Sequence, residues 1–186
     1  MPKNPDLTDI GEVLVVDDDA DVRELLVEHL RSKGLRVATA ADGRAAISAV
    51  ERSPGYFGLI LTDLQLPGAD GLAVLRTAKQ LNPSCHVVII TGYASLDSAI
   101  EAVRSGAYDY LTKPFSLGQL DIVLARISDR RALEHENRQL ARQVGNRDLP
   151  PAAGLPARLD AIDGRLQRIE RLLQDIAGPQ RRHDDS

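Results

Sequence analysis

Asp17, Asp18, Asp63, Thr91 and Lys113 each close, or directly follow, a short apolar run of this chain. The runs are residues 13–16, 59–61, 87–90 and 108–111, built mainly of Val, Ile and Leu. Runs of this kind mark strands buried on both faces. In an open parallel sheet the carboxyl ends of the strands share one edge, and ligands bind there. Residues far apart in sequence are therefore expected to meet. Carboxylates clustered beside a lysine suit a hard divalent cation and a phosphoryl group.

Such a site needs little else. A carboxylate that accepts a phosphoryl group repels it strongly at contact, so a cation must sit between them. Mg²⁺ keeps several waters and takes a few carboxylate oxygens, which Asp17, Asp18 and Asp63 supply. Lys113 then screens a second phosphoryl oxygen, and the Thr91 hydroxyl hydrogen-bonds the third. Phosphoryl transfer rests mainly on positioning and charge stabilisation. Each residue alone has an ordinary explanation. Acids before a helix complement its dipole, and Thr is a good strand residue. Their joint occurrence at four strand ends is what points to chemistry. No G-x-G-x-x-G follows the first run and there is no Walker lysine, so a nucleotide site is not indicated.

The elements that must position these residues alternate strictly. Strands are expected at about 12–17, 36–40, 57–62, 86–91 and 108–112. Amphipathic helices are expected at about 20–33, 43–52, 71–81 and 96–105, with a fifth starting near Ser116. Asp19 or Asp21 serves the first helix as N-cap, and Gly34, Ser53-Pro54, Asn82-Pro83 and Gly106 stop successive helices. Five strand–helix units in alternation imply an α/β fold, a doubly wound five-stranded parallel sheet.

Bulk properties narrow the class. The chain has 186 residues, 43% of them apolar, enough for one compact domain plus appendages. Four Tyr, two Phe and no Trp leave little for a base-stacking surface, and a net charge of −4 argues against a general nucleic-acid binder. A single cysteine, Cys85, fits a reducing compartment and reads as a buried small residue. Neither a signal peptide nor a membrane span is evident, so a cytoplasmic protein is expected. His29, His86, His135 and His183 occupy no recognisable phosphohistidine setting.

Residues 12–127 resemble the receiver domain of bacterial two-component response regulators. The resemblance rests on VLVVDDD at 13–19, LILTDLQLPGADG at 59–71, VVIITGYAS at 87–95 and GAYDYLTKPF at 106–115. The stretch 91–115 is most similar to receivers of the nitrogen-regulator type. The resemblance implies a flavodoxin-like sheet of order 2-1-3-4-5, with Asp63 as phosphoacceptor from a phosphohistidine on a sensor histidine kinase or phosphotransfer protein. It implies Mg²⁺ on Asp17, Asp18, Asp63 and the backbone carbonyl of Gln65. Lys113 would pair with the phosphoryl group, Thr91 and Tyr110 would form a switch pair, and the Lys113–Pro114 bond would be cis.

The expected organisation is a flexible polar arm over 1–10, a receiver over 11–128 and a helical extension over 129–144. A Pro/Gly linker at 145–156, an amphipathic helix at 157–177 and a polar tail at 178–186 follow. Leu133, Asn137, Leu140 and Val144 form a thin seam in the extension. Leu155, Leu159, Ile162, Leu166, Ile169, Leu173 and Ile176 recur at alternating spacings of four and three, a heptad stripe. Arg158 opposite Asp163 and Arg165 opposite Glu170 favour a parallel arrangement, so self-association is expected; docking on the chain's own receiver or on another protein is the alternative.

The sequence ends before the ATPase and DNA-binding domains that normally follow such receivers. Output through a downstream protein partner is therefore expected, without direct DNA binding. Rivals are a DNA-binding regulator using Arg158, Arg165, Arg168 and Arg171, and a phosphatase with an aspartyl-phosphate intermediate. The protein is otherwise expected to act on no external substrate, catalysing only its own phosphorylation and dephosphorylation.

Overall fold

In the computed structural model, residues 7–92 and 95–144 are described. After a 3-10 turn at Leu7–Ile10 come strand β1 (Glu12–Val16), helix α1 (Ala20–Ser32), β2 (Val37–Ala40) and α2 (Gly43–Arg52). They are followed by β3 (Phe57–Thr62), α3 (Gly71–Leu81), β4 (His86–Thr91), α4 (Leu96–Arg104), β5 (Asp109–Thr112) and α5 (Leu117–Val144). The five strands make one sheet of order β2-β1-β3-β4-β5, every pair parallel. This is the expected doubly wound order, with β1 beside β3 at the point where the winding reverses.

The apolar runs form strands because helices cover both faces. All six residues of β3 and all six of β4 are buried. Side chains alternate across the sheet. Leu14, Val16, Ile60, Val87 and Ile89 join the core under α2, α3 and α4. Val13, Val15, Leu59, Leu61, Val88 and Ile90 join the core under α1 and α5.

Short polar side chains start the helices. The Asp19 carboxylate accepts from the N–H of Asp21 at 2.9 Å and of Val22 at 3.3 Å. Asp42 caps α2 through the N–H of Ala45, Asp70 caps α3 through that of Ala73, and Ser95 caps α4 through that of Ser98. Strand β2 starts one residue later than expected and β5 likewise, Tyr108 serving as a lead-in whose N–H donates to the Val87 carbonyl at 2.7 Å.

The expected polar arm over residues 1–10 needs correction at its end. Leu7–Ile10 folds as a 3-10 turn against α5, and Ile10 is completely buried. Gly58 permits this approach, since a Cβ at that position would lie 1.7 Å from the Ile10 carbonyl oxygen. Helix α5 is a continuous 28 residues. Its packed part reaches Ser128 and Arg131, whose guanidinium donates to the Gly58 carbonyl at 3.1 Å. Beyond that, Leu133 is 60% exposed. The linker expected at 145–156, the heptad stripe and the tail lie outside the described residues. No described helix is long and apolar enough to cross a membrane.

Candidate functional site

Asp17 follows β1 directly and is held from every side. Its N–H donates to the Ala40 carbonyl of β2 at 3.3 Å. One carboxylate oxygen accepts from the Asp19 N–H at 3.0 Å, and the other from Lys113 Nζ at 2.6 Å. Its backbone carbonyl accepts from Arg23 Nη1 at 2.6 Å. The residue is only 1% exposed.

Asp63 follows β3, the central strand. Its N–H donates to the Val16 carbonyl at 2.8 Å, tying it to the end of β1. Its carboxylate accepts from the Gln65 N–H at 3.0 Å and from Lys113 Nζ at 2.8 Å. Gly71 at the start of α3 lets the helix sit close, because a Cβ there would lie 2.1 Å from the Asp63 carbonyl oxygen. Asp18 is exposed, between buried Asp17 and the solvent.

Lys113 leaves β5 and bridges both buried carboxylates. Its own N–H donates to the Thr91 carbonyl at 2.8 Å, which joins the ends of β4 and β5. The Lys113–Pro114 bond is cis. Thr91 ends β4 and is fully buried. Tyr110, on β5, is also buried, with its hydroxyl 3.3 Å from Ser98 Oγ on α4.

The electrostatics follow from this geometry. Burial pushes the Asp17 carboxyl above the usual range despite the lysine beside it. Burial alone would lower the Lys113 pKa, but its hydrogen bonds to Asp17 and Asp63, with their charges, outweigh that and hold it above the ordinary value. Lys113 is thus a fixed cation. Oxygen atoms of Asp17, Asp18 and Asp63 lie within 4.8 Å of one another. Three hard oxygen donors at that separation fit a small divalent cation such as Mg²⁺. A cleft of about 550 Å³ lies alongside, bordered by Asp18, Leu64, Gln65, Leu66, Leu72 and Ser98.

The structure therefore brings Asp17, Asp18, Asp63, Gln65, Thr91 and Lys113 to one sheet edge, with Tyr110 within β5, three residues before Lys113. Leu159, Ile162, Leu166, Ile169, Leu173 and Ile176, expected to mediate oligomerisation, are outside the described residues. Two participants had escaped the sequence reading. Arg23 lies one helical turn after Asp19, a spacing that places it over the start of α1. Ser98 is three residues after Ser95, a capping-box spacing.

Comparison with known proteins agrees with this architecture. The profile of the response regulator receiver domain family matches residues 13–125. The C4-dicarboxylate transport transcriptional regulatory protein DctD of Rhizobium meliloti is 30% identical over 167 residues, 89% of this chain and 34% of that protein. The DNA-binding transcriptional regulator NtrC of Salmonella typhimurium is 33% identical over 159 residues, 85% of this chain and 33% of that protein. The match thus spans about a third of the length of either relative. The beryllofluoride-activated NtrC4 receiver domain dimer superposes with a TM-score of 0.60 at 31% identity, over 64% of this chain and 98% of that one.

Proposed function

From the premise that the chain belongs to the response regulator receiver domain family, we propose that it takes a phosphoryl group from a sensor histidine kinase onto Asp63. The observation that carries this reading is the Lys113 ammonium, 2.6 Å from Asp17 and 2.8 Å from Asp63. It holds a buried carboxylate in place at the end of β3 and sets a cation beside it. Asp63 attacks the phosphorus of a phosphohistidine. The P–N bond breaks, and its electron pair leaves with the imidazole, which takes up a proton. Lys113 stays on the transferred group, and the Thr91 hydroxyl hydrogen-bonds another of its oxygens. Asp17, Asp18, Asp63 and the Gln65 backbone carbonyl would hold Mg²⁺, which would supply the charge that lets two anions meet. Water later attacks the phosphorus, the P–O bond to Asp63 breaks, and inorganic phosphate leaves with the carboxylate restored, so the chain catalyses its own dephosphorylation and no external turnover.

The phosphoryl group then acts through protein contacts. The Thr91–Tyr110 pair transmits it, and the heptad stripe at 155–176 supplies self-association or a docking face for a downstream partner. A second reading, direct regulation of transcription, is favoured by the similarity to the transcriptional regulators DctD and NtrC. Arg158, Arg165, Arg168 and Arg171 would carry it, and DNA binding that weakens steeply with salt would distinguish it.

The test of the site is Asp63→Asn with acetyl phosphate and Mg²⁺. The substitution keeps size and removes the anionic nucleophile. Mass spectrometry is expected to find one added phosphoryl group on wild type and none on the variant. Undiminished labelling of the variant assigns the acceptor elsewhere.

A further inference from the structure

Ser98 Oγ is crowded in a way that its chemistry cannot fully satisfy. It donates its one proton to the Ser95 carbonyl at 2.9 Å. It accepts from the Ser95 N–H at 3.1 Å, completing the capping box of α4. A hydroxyl has one donor and two acceptor lone pairs, so a single acceptor site remains. Two hydroxyls lie within reach of it, Ser95 Oγ at 3.0 Å and Tyr110 Oη at 3.3 Å. They belong to different elements, the N-cap of α4 and the buried face of β5. The Ser95 cap itself lies four residues after Thr91, at the far end of the β4–α4 connection. Ser98 also borders the cleft beside the acidic cluster.

We infer that Ser98 is a positioning residue for Tyr110: its one remaining lone pair holds the tyrosine ring in the core, and Ser95 competes for that lone pair. The arrangement is a two-choice element. When the Ser95 hydroxyl is satisfied elsewhere, Tyr110 donates to Ser98 and the ring stays in the core it shares with residues of α4 such as Ala99 and Ala102. When the Ser95 hydroxyl takes the lone pair, Tyr110 Oη loses the one side-chain partner it has among the described residues, and the ring is released. Burial raises the Tyr110 pKa, so the ring carries a neutral, donating hydroxyl at neutral pH. Movement of Thr91 toward a phosphoryl group would pull on the connection that ends at Ser95 and change the competition. This step rests on the phosphoacceptor reading; the competition itself does not.

The test uses the full chain labelled with 3-fluorotyrosine, its Tyr110 resonance assigned with Tyr110→Phe. Without phosphodonor, Ser98→Ala is expected to move that resonance toward free fluorotyrosine and to enlarge its solvent isotope shift. Ser95→Ala, which removes the competitor, is expected to move it the opposite way. A role confined to capping α4 would move both variants in the same direction, because both break the box; that outcome, or an unmoved resonance in Ser98→Ala, overturns the inference. With acetyl phosphate and Mg²⁺, Tyr110 and the amides of residues 95–99 are expected to shift together in wild type. In Ser98→Ala the amides are expected to shift alone, and a Tyr110 shift equal to that of wild type counts against the inference. If no phosphoryl group is taken up, the Asp63 reading fails, while the unphosphorylated arm still decides on Ser98.

Discussion

Lys113→Met removes the cation that bridges two buried carboxylates while keeping the length of the aliphatic stem. The ligand oxygens of the acidic cluster lie within 4.8 Å of one another. Two unit charges at that separation, at an effective dielectric constant of ~20, repel by about 3.5 kcal/mol. Loss of the two hydrogen bonds to Lys113 adds to this, and partial protonation of Asp17 subtracts, since its carboxyl already sits above the usual range. Removing one partner of a buried ion pair generally costs about 3–5 kcal/mol, and the same range is expected here at neutral pH without metal. The assay is urea denaturation of wild type and variant in chelator and in millimolar Mg²⁺. Binding to the native state stabilises by mass action, and the variant site holds no competing cation. Mg²⁺ should therefore raise the variant's midpoint more than that of wild type. A variant as stable as wild type in chelator, or one gaining no more from Mg²⁺, would refute the view of Lys113 as the internal counter-ion of the cluster.

Asp18→Ala should weaken Mg²⁺ binding and raise the metal-free melting temperature, since it removes one of three crowded carboxylates; calorimetry with and without Mg²⁺ checks both signs. His86 is buried against Tyr108 with ring centroids 4.7 Å apart, and burial, helped by Arg131 and Lys79, lowers its pKa from 6.5 to about 3. The unfolded chain then takes up this proton first as pH falls, so the stability is whole above pH 6.5 and is lost toward pH 3. The loss runs at about 1.4 kcal/mol per pH unit at most, and His86→Leu should flatten that limb of the stability–pH curve measured by denaturant titration. Leu166→Glu with Ile169→Lys should abolish self-association in sedimentation while labelling of Asp63 persists; a wild type that stays monomeric with and without phosphodonor would assign the stripe to another partner.

The sequence by itself determined the sheet and its edge. Strands β3 and β4 were legible because burial on both faces demands unbroken apolar runs; among the helix starts only the Asp19 cap was read from the sequence, and the structure shows Asp42, Asp70 and Ser95 capping the others by the same short-range chemistry. Parallel alternation then obliges Asp17, Asp63, Thr91 and Lys113 to share one edge. The heptad stripe at 155–176, outside the described residues, stays a matter of periodicity alone. Only the tertiary structure decided the contacts that depend on side-chain direction and on partners distant in sequence. Leu7 and Ile10 stand too isolated among polar residues to show a period, and the burial of Ile10 depends on the missing Cβ of Gly58. Arg23 reaches the Asp17 carbonyl, and Ser98 meets Tyr110, because the packing of α1 and α4 on the sheet aims them there. His86 looked like an ordinary polar residue, yet the pleat of β4 turns it inward. Local sequence sets which elements form and where they end; which polar groups then face one another is settled by how those elements pack.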